Sequence, residues 1–150
     1  VREREMSDMY AVSTKRRELN QQKSSILTTK AASRRGTVAA RQAEDVQLTC
    51  ALVARAYNIM FADLFSPTRG EARVAEARQV AMYLSHITFG MSLAAAARRF
   101  GRDRTTVAYA CRQVEDRRDD NRFDVMLERL ELSLAVLIRA RTHLPSMNKQ

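Results

Sequence analysis

Arg102, Asp103, Arg104, Thr105, Thr106, Tyr109, Arg112 and Gln113 crowd into one short stretch of the chain. Each side chain ends in a hydrogen-bonding group. Guanidinium forks match phosphate oxygens or the paired acceptors of a guanine edge, and a carboxylate accepts from cytosine N4. A threonine brings a hydroxyl and a methyl that can meet thymine. Such a set suits the recognition of charged, flat ligands, whereas a nucleophile with its general base is missing. His86 and His143 lie far apart, and Ser92 with Asp103 has no His at a workable spacing; helix capping accounts for both. No enzyme is expected. Cys50 and Cys111 have no Cys or His partner at ligand spacing, so neither a metal nor a cofactor is expected. Both sit in apolar helical stretches and read as buried free thiols, which suits a reducing cytoplasm.

The elements that must hold this stretch are helices. Gly, Pro and aromatic residues are few and Trp is absent, a composition that favours an all-α fold over a β-rich one. Ser92 caps a short helix, Leu93 to Phe100, which Gly101 ends. A longer helix then starts at Asp103 or Thr105 and runs to about Asp116. Leu93 to Asp116 therefore has the order of a helix-turn-helix: an Ala-rich helix, a turn of three residues with Gly, and a second helix with polar residues at its N-terminal end. Small residues at Ala94 to Ala97 let two helices approach closely. Val107, Ala110, Cys111 and Val114 give the second helix an inward face. Arg104, Thr105, Tyr109, Arg112 and Gln113 face the other way. Arg98, Arg99, Arg102 and Arg104 gather around the one turn.

Upstream, Leu48, Leu52, Val53, Ala56 and Tyr57 recur at helical spacing and predict a helix over 45–58, with Asn58 as its stop. A short turn of helix at Ala62 to Phe65 and a loop from Ser66 to Gly70 follow. A helix from about Val74 to Phe89 should bury Val80, Leu84 and Ile87 and end at Gly90. Downstream, the mixed-charge run Glu115 to Asn121 reads as a solvated face or, alternatively, a partner-docking site. A last helix over 123–142 should carry an apolar stripe of Leu127, Leu130, Leu134 and Leu137, with Pro145 and polar residues closing the chain. Val125, Met126, Leu132, Val136 and Ile138 widen that stripe. Packing onto the bundle is one explanation; a dimer or polymerase-contact surface is the other.

The net charge is +9 and the pI is near 10.4. Arg supplies nearly all of it: 22 of the 26 cations are Arg, and the four Lys fall outside 31–148. GC-rich coding would produce the same bias, but the surface is basic in either case and points first to nucleic acid. Residues 1–45 hold ten cations against six acids. Lys23 to Arg41 has few large apolar residues, so it is expected to be a flexible basic arm, while Val1 to Arg17 could form a loose helix. Three parts result: a basic arm over 1–44, the helix-turn-helix domain over 45–121, and an amphipathic helix with its tail over 122–150. No apolar run is long enough to span a membrane, and the polar start does not resemble a secretory signal. A cytoplasmic, nucleoid-associated protein is expected.

Ala77-Arg78-Gln79-Val80-Ala81-Met82-Tyr83-Leu84, Ser92-Leu93, Gly101-Arg102-Asp103-Arg104-Thr105-Thr106-Val107 and Ala110-Cys111-Arg112 together resemble the C-terminal DNA-binding domain of the bacterial replication initiator DnaA, over roughly residues 46–118. The resemblance implies a small helical bundle that holds double-stranded DNA. It implies that Asp103, Arg104 and Thr105 face bases in the major groove, with Thr106 and Arg112 near the backbone. It places Arg78 and Gln79 on phosphate and Arg69 in the loop whose Arg enters the minor groove. Arg98, Arg102 and Tyr109 complete the expected DNA-contacting set. The chain departs from the family in having Arg104 and Tyr109 where His is usual, and one Gly before Arg102 rather than two. No Gly-x-x-x-x-Gly-Lys-Ser/Thr loop occurs in the 150 residues, so assembly through an ATP site of its own is not expected. Phe65-Ser66-Pro67-Thr68-Arg69-Gly70 and Glu115-Asp116-Arg117-Arg118-Asp119-Asp120 are similar to short alphaproteobacterial helix-turn-helix proteins and to activators of gene transfer agents. These resemblances imply a sequence-specific transcription regulator. An accessory replication factor at initiator boxes, or a module engaging RNA polymerase or another regulatory partner through helix 123–142, are the alternatives.

Overall fold

With one Gly and no Pro before residue 58, nothing in the covalent chain interrupts a helix there. The computed structural model describes residues 2–143, with side chains at 18, 21, 22, 25 and 28–143, so Pro145 and the expected polar end lie outside the described residues. The elements are α1 (Arg2–Tyr57), a 3₁₀ turn (Phe61–Phe65), α2 (Ala72–Phe89), α3 (Leu93–Phe100), α4 (Arg104–Arg117) and α5 (Asn121–His143). No strand occurs among the described residues, and the fold is all-α. No described helix is long and apolar enough to cross a membrane. Two units are distinguished, Val1–Arg41 and Gln42–Gln150.

In the first unit, residues 28–41 are helical and every one of them is exposed. The helix thus begins far upstream of the predicted start at 45. Apolar periodicity marks only the part of a helix that packs, and this part does not.

In the second unit, the last turns of α1 bury Val46, Thr49, Cys50, Val53 and Ala54. Ala56, read as part of the stripe, is exposed. Asn58 stops the helix as expected, at φ 51°. Its N–H donates to Arg55 O (3.2 Å) and that of Ile59 to Ala54 O (3.0 Å), which is the paired bonding of a Schellman end. Helix α2 runs through the middle of the core and buries Val80, Ala81, Met82, Tyr83, Leu84 and Ser85 in succession. Ile87, expected inside, is 52% exposed, although Phe89 further along still packs against the core before Gly90 (φ 61°) ends the helix.

Helix α5 packs through Phe123, Leu127, Leu130 and Leu134. Leu137, assigned to the same stripe, is exposed, as are Val125, Leu132 and Val136. Its start is capped by Asp120, whose Oδ1 accepts from Arg122 N (2.9 Å) and Phe123 N (3.4 Å).

The mixed-charge run is exposed at Glu115, Asp116 and Asp119 to Asn121, as a solvated face would be, while its two half-buried arginines hold the bundle together. Arg118 donates to Asp124 (2.8 Å), Glu131 (2.5 Å) and the Tyr83 hydroxyl (3.1 Å), and that hydroxyl donates to Glu115 (2.6 Å). One guanidinium thus joins α2, α4 and α5. Burial disfavours the Arg118 charge, but its bonds to Tyr83 and Asp124 and the Glu131 charge outweigh that and raise its pKa. Arg117 pairs with Glu76 (2.7 Å) and lies over the Phe123 ring (4.3 Å), while Glu76 also accepts from Tyr57 (2.8 Å). Cys50 is a buried free thiol and Cys111 a half-buried one.

Candidate nucleic-acid interface

The helix-turn-helix is built from local signals that act as expected. Ser92 Oγ accepts from Ala95 N (3.1 Å), which starts α3. Ala95, Ala96 and Ala97 are buried, so their missing bulk sets how closely α3 nests in the bundle. Gly101 adopts φ 60°, and Arg102 N closes the helix end on Ala97 O (3.0 Å). A Cβ at Gly101 would touch nothing within 4 Å, so the left-handed backbone alone demands glycine here.

Asp103 occupies the N-cap of α4 in extended conformation, yet its carboxylate makes no capping bond. Capping therefore does not explain this side chain. It is exposed at the mouth of the turn with its acceptor oxygens available.

Helix α4 is two-sided. Val107, Ala110 and Val114 are buried. Arg104, Thr105, Thr106, Tyr109 and Arg112 are exposed, and none of their side chains has a hydrogen bond or ion pair among the described residues. Tyr109 is 52% exposed, a large aromatic held in solvent beside four uncommitted polar groups. The positive end of the α4 dipole lies at Arg104 to Thr106 and adds to the cationic field there.

Between this face and α2 runs an open groove of about 720 Å³. Arg69, Arg78 and Gln79 line one side, and Arg102, Asp103, Thr106 and Tyr109 the other. The structure thus brings seven of the eleven predicted residues to one groove. Arg104, Thr105 and Arg112 sit on the exposed face of α4 outside its lining, and Arg98 is exposed on α3.

Arg78, which the resemblance assigns to phosphate, is only 5% exposed. Its Nε donates to Leu64 O (2.8 Å), Nη2 to Asp63 O (2.8 Å) and Nη1 to Arg69 O (3.2 Å). A guanidinium so engaged holds the 63–69 loop against α2. Burial, and then the nearby Arg102 charge, lower its pKa, while Asp63 raises it.

Arg102 has a similar role. Its Nη2 donates to Ser66 O (2.6 Å) and its Nη1 to Pro67 O (3.1 Å). Phe65 stacks on Phe100 at 5.7 Å. Two residues counted as DNA ligands thus brace the loop that carries Arg69, whose own side chain is exposed. Glu76 and Arg117, not among the expected DNA-contacting residues, also line the groove but neutralise each other. The only signal for that pair was their opposite charge on adjoining helices.

His86 Nδ1 lies 2.6 Å from Met91 O and serves the α2–α3 connection. No group of three metal-ligating side chains occurs among the described residues.

Residues 46–114 match the family described as bacterial dnaA protein helix-turn-helix. The chain is 46% identical over 74 residues to the chromosomal replication initiator protein DnaA of Mesorhizobium japonicum, covering 49% of this chain and 14% of that protein. It is 48% identical over 73 residues to the protein of the same name from Rhodopseudomonas palustris strain TIE-1, covering 48% and 15%. A solved structure described as a DNA replication initiation factor superposes with a TM-score of 0.57 at 33% identity, covering 62% of this chain and 29% of that one. The chain therefore spans about a seventh of the curated relatives it matches. The resemblance read from Gly101 to Val107 and from Ala110 to Arg112 falls inside the matched segment.

Proposed function

Because residues 46–114 are similar to the DnaA helix-turn-helix, we propose that this chain binds double-stranded DNA sequence-specifically, with α4 in the major groove, and acts as a transcription regulator. One observation carries the reading: Arg104, Thr105, Thr106, Tyr109 and Arg112 are exposed and uncommitted on a helix whose other face is buried. Side chains free in this way lose few protein contacts on meeting a base edge. Arg104 offers a bidentate fork to guanine O6 and N7, Asp103 accepts from a cytosine amine, and the Thr105 methyl meets thymine. Arg112 and Thr106 take phosphate, which fixes register without reading sequence. Arg69, held out by the Arg78 and Arg102 braces, enters the adjoining minor groove.

The relatives' printed name, chromosomal replication initiator, favours one second reading: an accessory factor at initiator-type sites. Arg104 separates the two, because Arg in place of the family's usual His shifts preference toward guanine. Selection of bound sites from a random duplex pool tests both. Regulation predicts enriched sites near promoters and a transcription change when the gene is deleted. Recovery of initiator boxes, with altered origin firing and no transcription change, supports the second reading. No enrichment of any sequence contradicts both.

A further inference from the structure

From Leu19 to Ala43 the sequence contains five cations, Lys23, Lys30, Arg34, Arg35 and Arg41, and no acid. Residues 28–41 are helical and exposed throughout. At helical spacing, Lys30, Arg34, Thr37 and Arg41 fall at i, i+4, i+7 and i+11, which is one face. The three cations of that face make no ion pair among the described residues. The Thr37 hydroxyl bonds back to Arg34 O (2.8 Å).

Such a stripe gains nothing for folding. Like charges at i, i+4 repel, and residues 28–41 bury no apolar face that offsets this. An acid in the gaps would relieve the repulsion, and none is there. Between residues 28 and 41 Val38 is the only large apolar residue, so the segment also lacks the wide apolar face that a membrane-surface helix inserts. The remaining ligand is a regularly spaced polyanion.

We propose that the Lys30–Arg34–Arg41 face is a second contact with duplex DNA, made to the phosphate backbone and indifferent to sequence. It rests on the reading of α4 as the base-reading helix, to which it is tethered covalently. The stripe adds affinity and salt dependence, and α4 supplies discrimination.

The test is the salt dependence of binding by the 150-residue chain to its selected site and to a scrambled duplex. Three phosphate contacts contribute about 2.7 to the slope of log K against log salt. The variant K30Q/R34Q/R41Q should lose that much slope, because Gln matches Lys and Arg in helix propensity while removing charge. Raising salt from about 50 to 200 mM should cost the parent about 40-fold more affinity than it costs this variant. Selected and scrambled duplexes should weaken by the same factor. The R34K/R41K variant, with charge kept, should retain the parental slope. An unchanged slope in the triple variant, with helicity intact by circular dichroism, overturns the inference but not the reading of α4. So does a loss confined to the selected site, or capture by anionic vesicles with DNA binding unchanged. Failure of the unaltered chain to bind any duplex overturns the reading of α4, and this inference with it.

Discussion

Replacing Arg78 by Met keeps an unbranched stem of similar reach in the core and removes three hydrogen bonds to Leu64, Asp63 and Arg69 carbonyls, at 2.8, 2.8 and 3.2 Å. Hydrogen bonds from a charged donor contribute about 1.5–3 kcal/mol each. Their sum is an upper bound, because Met also removes the cost of burying a guanidinium that is only 5% exposed. Of the carbonyls left behind, those of Asp63 and Arg69 reach water more easily than that of the buried Leu64. A net loss of about 2–4 kcal/mol remains, or roughly 10–20 °C in Tm for a domain of this size. Urea titration followed by circular dichroism measures it. The same variant separates a brace from a phosphate ligand. A brace loses stability and, once the loop moves, the contact made by Arg69. A ligand loses none, and its removal lowers the salt slope of DNA binding by about 0.9. Stability within about 0.5 kcal/mol of the parent, with such a drop in slope, would refute the assignment of Arg78 to the loop.

Gly101→Ala should cost about 1–2 kcal/mol from the φ of 60° alone, because its Cβ meets no neighbour, and Gly101→Asn should cost less; paired denaturation curves check the order. Arg118→Met leaves Glu131, Asp124 and Glu115 around an empty cationic position. Partial exposure limits the expected loss to about 1–3 kcal/mol, and adding E131Q should restore part of it in a double-mutant cycle. The pKa of Cys50 is pushed up to about 12 by burial, and that of Tyr83 to about 12 by burial and its bond to Glu115. Both are acids held neutral by the fold, so the unfolded chain releases these protons first. Their stabilisation is complete below about pH 9 and is lost as pH rises toward about 12. Denaturation midpoints should fall across that window, and in Cys50→Ala the early part of the fall should be shallower, what remains of it coming from Cys111, whose pKa is also raised by burial.

Local signals were legible in the sequence, and long-range ones were not. Ser92, Gly101 and Asn58 act within their own turns, so residue type alone located the α3–α4 turn and the end of α1. Apolar spacing located α2, α4 and α5. It misjudged Ile87 and Leu137, which continue the spacing yet are exposed. Residues 28–41 are exposed throughout and include Val38 as their one large apolar residue, and periodicity is silent on such a segment. The polar site was read from side-chain chemistry, which cannot distinguish an Arg that faces DNA from one that faces a carbonyl. Arg104 and Arg112 are uncommitted, whereas Arg78 and Arg102 donate to a loop 9–36 residues away in sequence. The Tyr83–Arg118–Glu131 network joins three helices, and only their packing reveals it.

The central claim is that α4 reads bases. Arg104→Gln tests it most directly, with affinity measured for the selected site and for every single-base variant of that site. Base readout predicts that discrimination at one base pair collapses by about 5- to 150-fold, equivalent to about 1–3 kcal/mol, while the other positions keep their preferences. A loss of affinity that is equal for all duplexes, with every positional preference intact, would make Arg104 a phosphate contact and contradict the claim.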